Sequence, residues 1–383
     1  MMRQEFGAER IEITHRGDLL LLLAVMLLAG VGLAMLFSSS YFRAERLFDQ
    51  PLHFFRRQAA WFLLGAAGAM IASRLPLELY RRFLPVILGI TLTLMLMTFM
   101  PGVSAEYLGA RRWIFLFGFS FQPSELTKFT LVLYLAYILD KKADQIDDPV
   151  NALLPPLIVV AIFTTLIYLQ NDFSTAFFVM IVALCMFFVA GVPWKYFISL
   201  FGAVVPISLI MLFSREHRVQ RLLSFIEPRL DPTGTGYQVL SSQNALARGG
   251  LWGSGVGQGT RKLGALPEAH SDFIFAVLGE ELGFFGVLLV ILLFGLLAYR
   301  GFRLAVVCED RFASYLVFGL TATIVLQALL NMAVVSGMVP ATGVTLPFFS
   351  SGGSSLFITL VMCGVIFNVS RRLPEEERTR WQS

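Results

Sequence analysis

The stretch HSDFIFAVLGEELGFFG, residues 270–286, sets three carboxylates and a histidine against an apolar background. Asp272 stands where a polar segment gives way to an apolar run. A carboxylate there can satisfy free backbone N–H groups as a helix cap, a task equally open to Ser271. It can also serve as a general base, since partial burial raises a carboxyl pKa toward the working range. Glu280 lies eight residues on, about 12 Å away along a helix. Paired carboxylates in a covalent glycoside mechanism stand roughly 5 Å apart, so this segment does not support one. Glu280 and Glu281 need partners at such depth, and a structural or cavity-lining role is expected for both.

Other polar residues interrupt apolar runs in the same way. In FQPSELTKF, residues 121–129, Glu125 and Lys128 are three apart and can pair on one helix face. Just upstream, GARRWI brings Arg111 and Arg112 beside Trp113, a residue type favoured at membrane interfaces. QNDFSTA, residues 170–176, puts Asp172 at the start of a further run, as a cap or as a charge for the site. GGLWGSGVGQGT is not a dinucleotide fingerprint, because no strand–helix unit surrounds it; it reads as a permissive turn. VPATGVTLPFFSSGGSSLF, residues 339–357, breaks the apolar pattern with prolines, glycines and serines, Ser354 among them. Non-helical backbone at that depth must be shielded by protein or line a cavity.

These residues hang on a frame that composition makes plain. Of 383 residues, 56% are hydrophobic and 15% charged, against roughly 25% charged in soluble domains; the mean hydropathy is +0.72. Apolar runs fall near 19–38, 58–73, 84–100, 124–139, 152–169, 173–192, 194–213, 273–299, 313–338 and 354–370. The expectation is an all-α integral membrane protein of about ten transmembrane helices in one domain, the second run being the shortest. The first run is expected to be a retained helix, being longer than a signal-peptide core. Three cysteines and four histidines, all scattered, suggest neither a disulfide framework nor a metal site.

Ten spans put both ends on one side. With that side inside, the cytoplasmic segments carry 16 Lys/Arg and the short outer loops six, the asymmetry the positive-inside rule requires. Residues 1–17 and 371–383 are then cytoplasmic, and 214–272 is a large outer loop between helices 7 and 8. That loop holds seven basic residues, Arg218 and Lys262 among them, against five acids. Long loops escape the charge rule, but arginines there also suit an anionic ligand.

Taken in order, GARRWI with FQPSELTKF, RLLSFIEPRLDPTGTGYQ, ALARGGLWGSGVGQGT, LPEAHSDFIFAVLGEELGFFG and GMVPATGVTLPFFSSGGSSL resemble the SEDS family (shape, elongation, division and sporulation), the FtsW and RodA proteins of bacterial wall synthesis. The resemblance runs over nearly the whole chain. LPEAHSDFIFA is closer to the division member than to the elongation member, where Arg commonly replaces Ala269. Ser271 stands where Thr is usual, and QNDFSTA where the family often has a proline and a glycine.

The resemblance implies a peptidoglycan glycosyltransferase that polymerises lipid II on the outer leaflet of the bacterial cytoplasmic membrane, with Asp272 as catalytic base. The implied substrate-binding set is Arg111, Arg112, Glu125, Lys128, Asp172, His270, Arg218, Lys262 and Ser354. The resemblance fixes no cofactor and leaves room for a divalent cation, Mg or Mn. A class B penicillin-binding protein transpeptidase and other divisome or elongasome membrane proteins are the implied partners, with no nucleic acid. Two other readings use the same residues: a lipid II flippase and a non-catalytic scaffold.

Overall fold

The computed structural model describes residues 17–101, 103–104, 111–116, 119–145, 148, 153–231, 234–260, 262 and 266–373, apart from the side chains of 116, 119, 203, 217 and 230. The tails 1–16 and 374–383, expected at the cytoplasmic ends, lie outside these residues.

Each apolar run forms a helix. In chain order these are α1 (Leu19–Phe48), α2 (His53–Ala72), α3 (Leu77–Met97), α4 (Pro123–Lys141), α5 (Leu154–Leu169), α6 (Phe173–Val189) and α7 (Trp194–Phe213). After the polar segment come α10 (Ile274–Val307), α11 (Arg311–Val335) and α12 (Gly353–Arg371). Six of them, α1, α3, α7, α10, α11 and α12, are long and apolar enough to cross a bilayer, and α5 and α6 are shorter apolar helices. The run expected at 58–73 belongs to a 20-residue helix that begins at His53, because the polar turn HFFRRQ keeps helical geometry ahead of the apolar part.

The segment expected as a long loop is itself built. It contains α8 (Glu216–Ile226) and α9 (Thr235–Gly249). α8 is amphipathic, with EHRVQR leading into LLSFI. Asp231 organises the entry to α9 by accepting from the Gly234 and Gly236 N–H groups and from Ser224. One feature departs from the all-helical expectation. β1 (Ile114–Leu116) and β2 (Phe119–Phe121) form an antiparallel hairpin, with Ile114 opposite Phe121.

The core is a single cluster to which α1, α4, α6, α10, α11 and α12 give most side chains. Exposed Leu, Ile and Phe on α1, α3, α5, α7 and α10 form the outer surface that a bilayer would cover. At the end carrying the N-terminus of α1, Asp18 caps that helix and accepts from Arg300 Nε at 2.7 Å. The pair is buried and fastens α1 to α10.

The break in α10

α10 is two helical pieces. Gly283 has φ 65° and ψ −163°, a conformation essentially restricted to glycine. A break inside a bilayer leaves backbone groups that cost several kcal/mol each if unmatched. The glycine-rich segment after α9 supplies the match. Ser254 N and Gly255 N donate to the carbonyls of Glu280 and Glu281 at 2.9 and 3.0 Å. From the other side of the break, Phe284 N and Phe285 N donate to Gly250 and Leu251 carbonyls. Gly253, at φ 78°, lies against the Glu281 carbonyl, where a Cβ would overlap it. GGLWGSGVGQGT, expected as a permissive turn, is therefore the partner of the broken helix.

The two glutamates complete this unit. Glu280 Oε1 accepts from Thr260 N at 3.0 Å and from its hydroxyl at 3.2 Å. Glu281 accepts from Gly257 N, from Ser38 of α1 and from Lys262 Nζ at 2.6 Å. Their expected structural role has specific partners.

Candidate functional site

Asp272 lies in the turns of residues 266–273, just ahead of α10. It is not a cap: the N-cap position belongs to Phe273, and no side chain bonds the first free N–H groups. Nor does Ser271 cap; its hydroxyl donates to Glu268 Oε2 at 3.0 Å. The main chain around Asp272 is held on every side. Ser351 N donates to the His270 carbonyl, Ser350 Oγ to that of Ser271 at 2.7 Å, and Asn331 Nδ2 to that of Asp272 at 2.8 Å. The carboxylate itself, partly exposed, receives no hydrogen bond from any described residue. Burial, with Glu268 beside it, raises its pKa to about 6, while Arg221 and Arg112 pull it down and Asp172 pushes it up. A carboxylate so placed is a base near neutral pH with lone pairs free.

The arginines meet it from two directions. Arg112, half-buried ahead of β1, places Nη1 3.8 Å from Asp172 Oδ2 and also donates to the Asn171 carbonyl. Asp172 both caps α6, accepting from Thr175 N at 3.2 Å, and joins this ion pair. The expected cap is thus present, and the Asp172 charge is paired with Arg112. Arg221 of α8 is half-buried, and its charge acts on Asp272, Asp172 and Arg112 at once. It belongs to the same group, whereas the loop cations expected to bind substrate are Arg218 and Lys262; charge and loop position alone do not tell the three apart. Arg111 is exposed at the same end.

Several candidates are engaged within the protein. Lys262 departs from an anion-binding role: 7% exposed, it is the counter-ion of Glu281 and also donates to Ser38 at 2.8 Å. Arg218 is buried, donates to the Met211 carbonyl and lies over the rings of Tyr168 and Phe173. Ser354 accepts from Gln122 N and donates to the Ser120 carbonyl, pinning β2 to α12. His270 is buried against Phe54, and burial, reinforced by Arg43 and opposed by Glu268, lowers its pKa to about 4. It is neutral at pH 7, and its Nδ1 has no partner among the described residues.

Glu125 and Lys128 form a buried pair at 2.8 Å. Lys128 also donates to Gln327 Oε1 at 2.6 Å, which turns the Gln327 amide nitrogen toward Thr345. Sequence spacing gives the first contact but not the second, since Gln327 is 199 residues away.

Below this end, α6, α7 and Phe318 of α11 line an open apolar cavity of about 740 Å³. It begins at Phe173, directly after Asp172, and is lined by Phe177, Leu184, Phe188 and Phe201. Among the described residues no group of three or more His, Cys, Asp or Glu could hold a metal by itself.

A helical bundle with exposed apolar flanks and ion pairs buried among its helices defines a polytopic membrane protein. The chain belongs to the FtsW/RodA/SpoVE family of cell-cycle proteins, whose model matches residues 18–375. It is 38% identical over 357 residues to a protein of Geobacter sp. strain M18 named as a probable peptidoglycan glycosyltransferase FtsW, covering 93% of this chain and 97% of that one. Among solved structures it is similar to a chain of a peptidoglycan synthase complex that coordinates polymerization and crosslinking, with TM-score 0.76 and 29% identity over 93% of this chain and 98% of that one. It is also similar to the rod shape determining protein RodA of Thermus thermophilus, with TM-score 0.65 and 27% identity over 93% and 97% of the two chains.

Proposed function

We infer that the chain is a peptidoglycan glycosyltransferase of cell division, polymerising lipid II at the outer face of the bacterial cytoplasmic membrane. The observation that carries the reading is Asp272. Its main chain is fixed, its carboxylate takes no hydrogen bond from the described residues, and its pKa is raised to about 6 beside Arg112 and Arg221.

The chemistry follows from one base. The acceptor sugar hydroxyl attacks the anomeric carbon of the donor, and Asp272 takes the hydroxyl proton. The anomeric C–O bond to the diphosphate breaks, and undecaprenyl diphosphate leaves with the electron pair. A single displacement turns an α-linked donor into a β-1,4 linkage, so no second carboxylate is needed. Arg112 and Arg221 offset the leaving diphosphate charge, and Arg111 adds to the field. The cavity beneath Phe173 suits a polyprenyl chain. A Mg or Mn ion, if it takes part, would draw on Asp172 together with substrate phosphates and water, leaving Asp272 as the base.

Both termini inside, as the Lys/Arg distribution favours, put Asp272 outside, where the lipid-linked sugar would be met. The relative in a peptidoglycan synthase complex favours a class B transpeptidase as partner.

Polymerisation of labelled lipid II by the purified protein with its transpeptidase tests the reading. A glycan ladder from the wild type and none from Asp272→Ala is expected. No ladder from either, with lipid II crossing proteoliposome membranes, would replace polymerase by flippase. No ladder and no crossing, with the transpeptidase still bound, would leave a scaffold.

A further inference from the structure

Asn331 lies on α11, 1% exposed, facing the turn that carries Asp272. Its Nδ2 donates to two main-chain carbonyls, Asp272 and Val344, each at 2.8 Å. A side-chain amide has two N–H donors, and here both serve this task. The same helix, one turn earlier, presents Gln327, whose Nε2 donates to the carbonyl and hydroxyl of Thr345 at 3.0 and 3.2 Å. Asn331 thus joins Asp272 to the non-helical segment preceding α12, and Gln327 holds the next residue of that segment. Gly343, at φ 73°, faces Asp272 Oδ2 from the same segment, where even a Cβ would come within 3.4 Å.

We propose that Asn331 is the positioning residue for Asp272, acting through the Asp272 carbonyl and the 343–345 segment rather than by touching substrate. The proposal rests on the polymerase reading given above. It follows from geometry: no described residue hydrogen-bonds the carboxylate, so its placement depends on its backbone, and on α11 only Asn331 reaches that carbonyl among the described residues. A misplacement near 1 Å at a reacting group can cost on the order of a hundredfold in rate. The carboxylate placed in this way is faced by Glu268, Arg221, Arg112 and Asp172.

The test is lipid II polymerisation by Asn331→Ala with the transpeptidase present, measured as kcat and KM across pH 4.5–8. Elution of the detergent-solubilised protein as one folded peak is the control. The expected result is a kcat lowered by about tenfold or more with KM unchanged. The acid limb of kcat should move from near pH 6 toward the ordinary carboxylate range as water reaches Asp272. An unchanged kcat, or a loss matched by the loss of folded protein with the limb unmoved, would overturn the proposal. Should Asn331→Ala fail to fold, Asn331→Ser, which keeps one donor, is read by the same criteria. A wild type that forms no ladder counts against the polymerase reading instead; a wild-type ladder with an unaltered variant counts against Asn331 alone.

Discussion

Lys262 Nζ stands 2.6 Å from Glu281 Oε1, with side chains 2% and 0% exposed, and Ser38 of α1 bonds both. This contact joins the segment after α9, the first piece of α10, and α1 at one point. A buried pair is weak evidence of net stability, but removing one partner leaves an uncompensated charge. Lys262→Met should therefore destabilise the folded protein by about 3–5 kcal/mol, and Lys262→Met with Glu281→Gln should recover most of it. Thermal unfolding of the four proteins in one detergent reads the cycle, and additive losses would show the contact to be unimportant.

Asp272 should set the acid limb of polymerisation. Its pKa is raised to about 6, so the basic form is scarce at pH 5 and dominant at pH 7, and kcat should rise through pH 6. Asp272→Asn should lower kcat by at least about a hundredfold at every pH. A limb that persists in the residual activity of that variant would assign the titration to another group.

Gly283 can be tested by backbone alone. Gly283→Ala places a Cβ on a residue at φ 65° and ψ −163°, within reach of the Gly253 N and Leu251 carbonyl. The strain is on the order of 1–3 kcal/mol before any clash. Reduced thermal stability with a more protease-sensitive segment 250–260 is the expected outcome, whereas Gly295→Ala, with open space around it, should change neither.

Arg112 and Asp172 should behave as a coupled pair with different consequences. Arg112→Ala removes a cation facing the site and should lower kcat/KM by roughly tenfold or more, about 1.4 kcal/mol of transition-state stabilisation. Asp172→Asn keeps an acceptor for the α6 cap while removing the charge, so its folded stability should be nearly that of the wild type. Kinetics and thermal unfolding on the two variants separate these roles.

The sequence alone determined the ten helix-forming runs, the Glu125–Lys128 pair and the exceptional position of Asp272. These features rest on local causes: apolar length, i,i+3 spacing and a charge at the edge of an apolar run. Their order within the chain also carried the family resemblance. Tertiary structure alone decided which polar groups remain free. Ser38 and Glu281 are 243 residues apart, Asn331 and Asp272 59 apart, and Lys128 and Gln327 199 apart, and no spacing rule reaches across such intervals. The same holds for the glycine-rich segment, whose function exists only because Gly283 breaks α10 and leaves N–H and carbonyl groups for it. A cation in a loop reads alike whether it awaits a ligand or neutralises a buried carboxylate, and burial separated Lys262 from Arg221. Asp272 stands out in both readings: it lies at the edge of an apolar run, burial and Glu268 raise its pKa, and no described residue hydrogen-bonds its carboxylate.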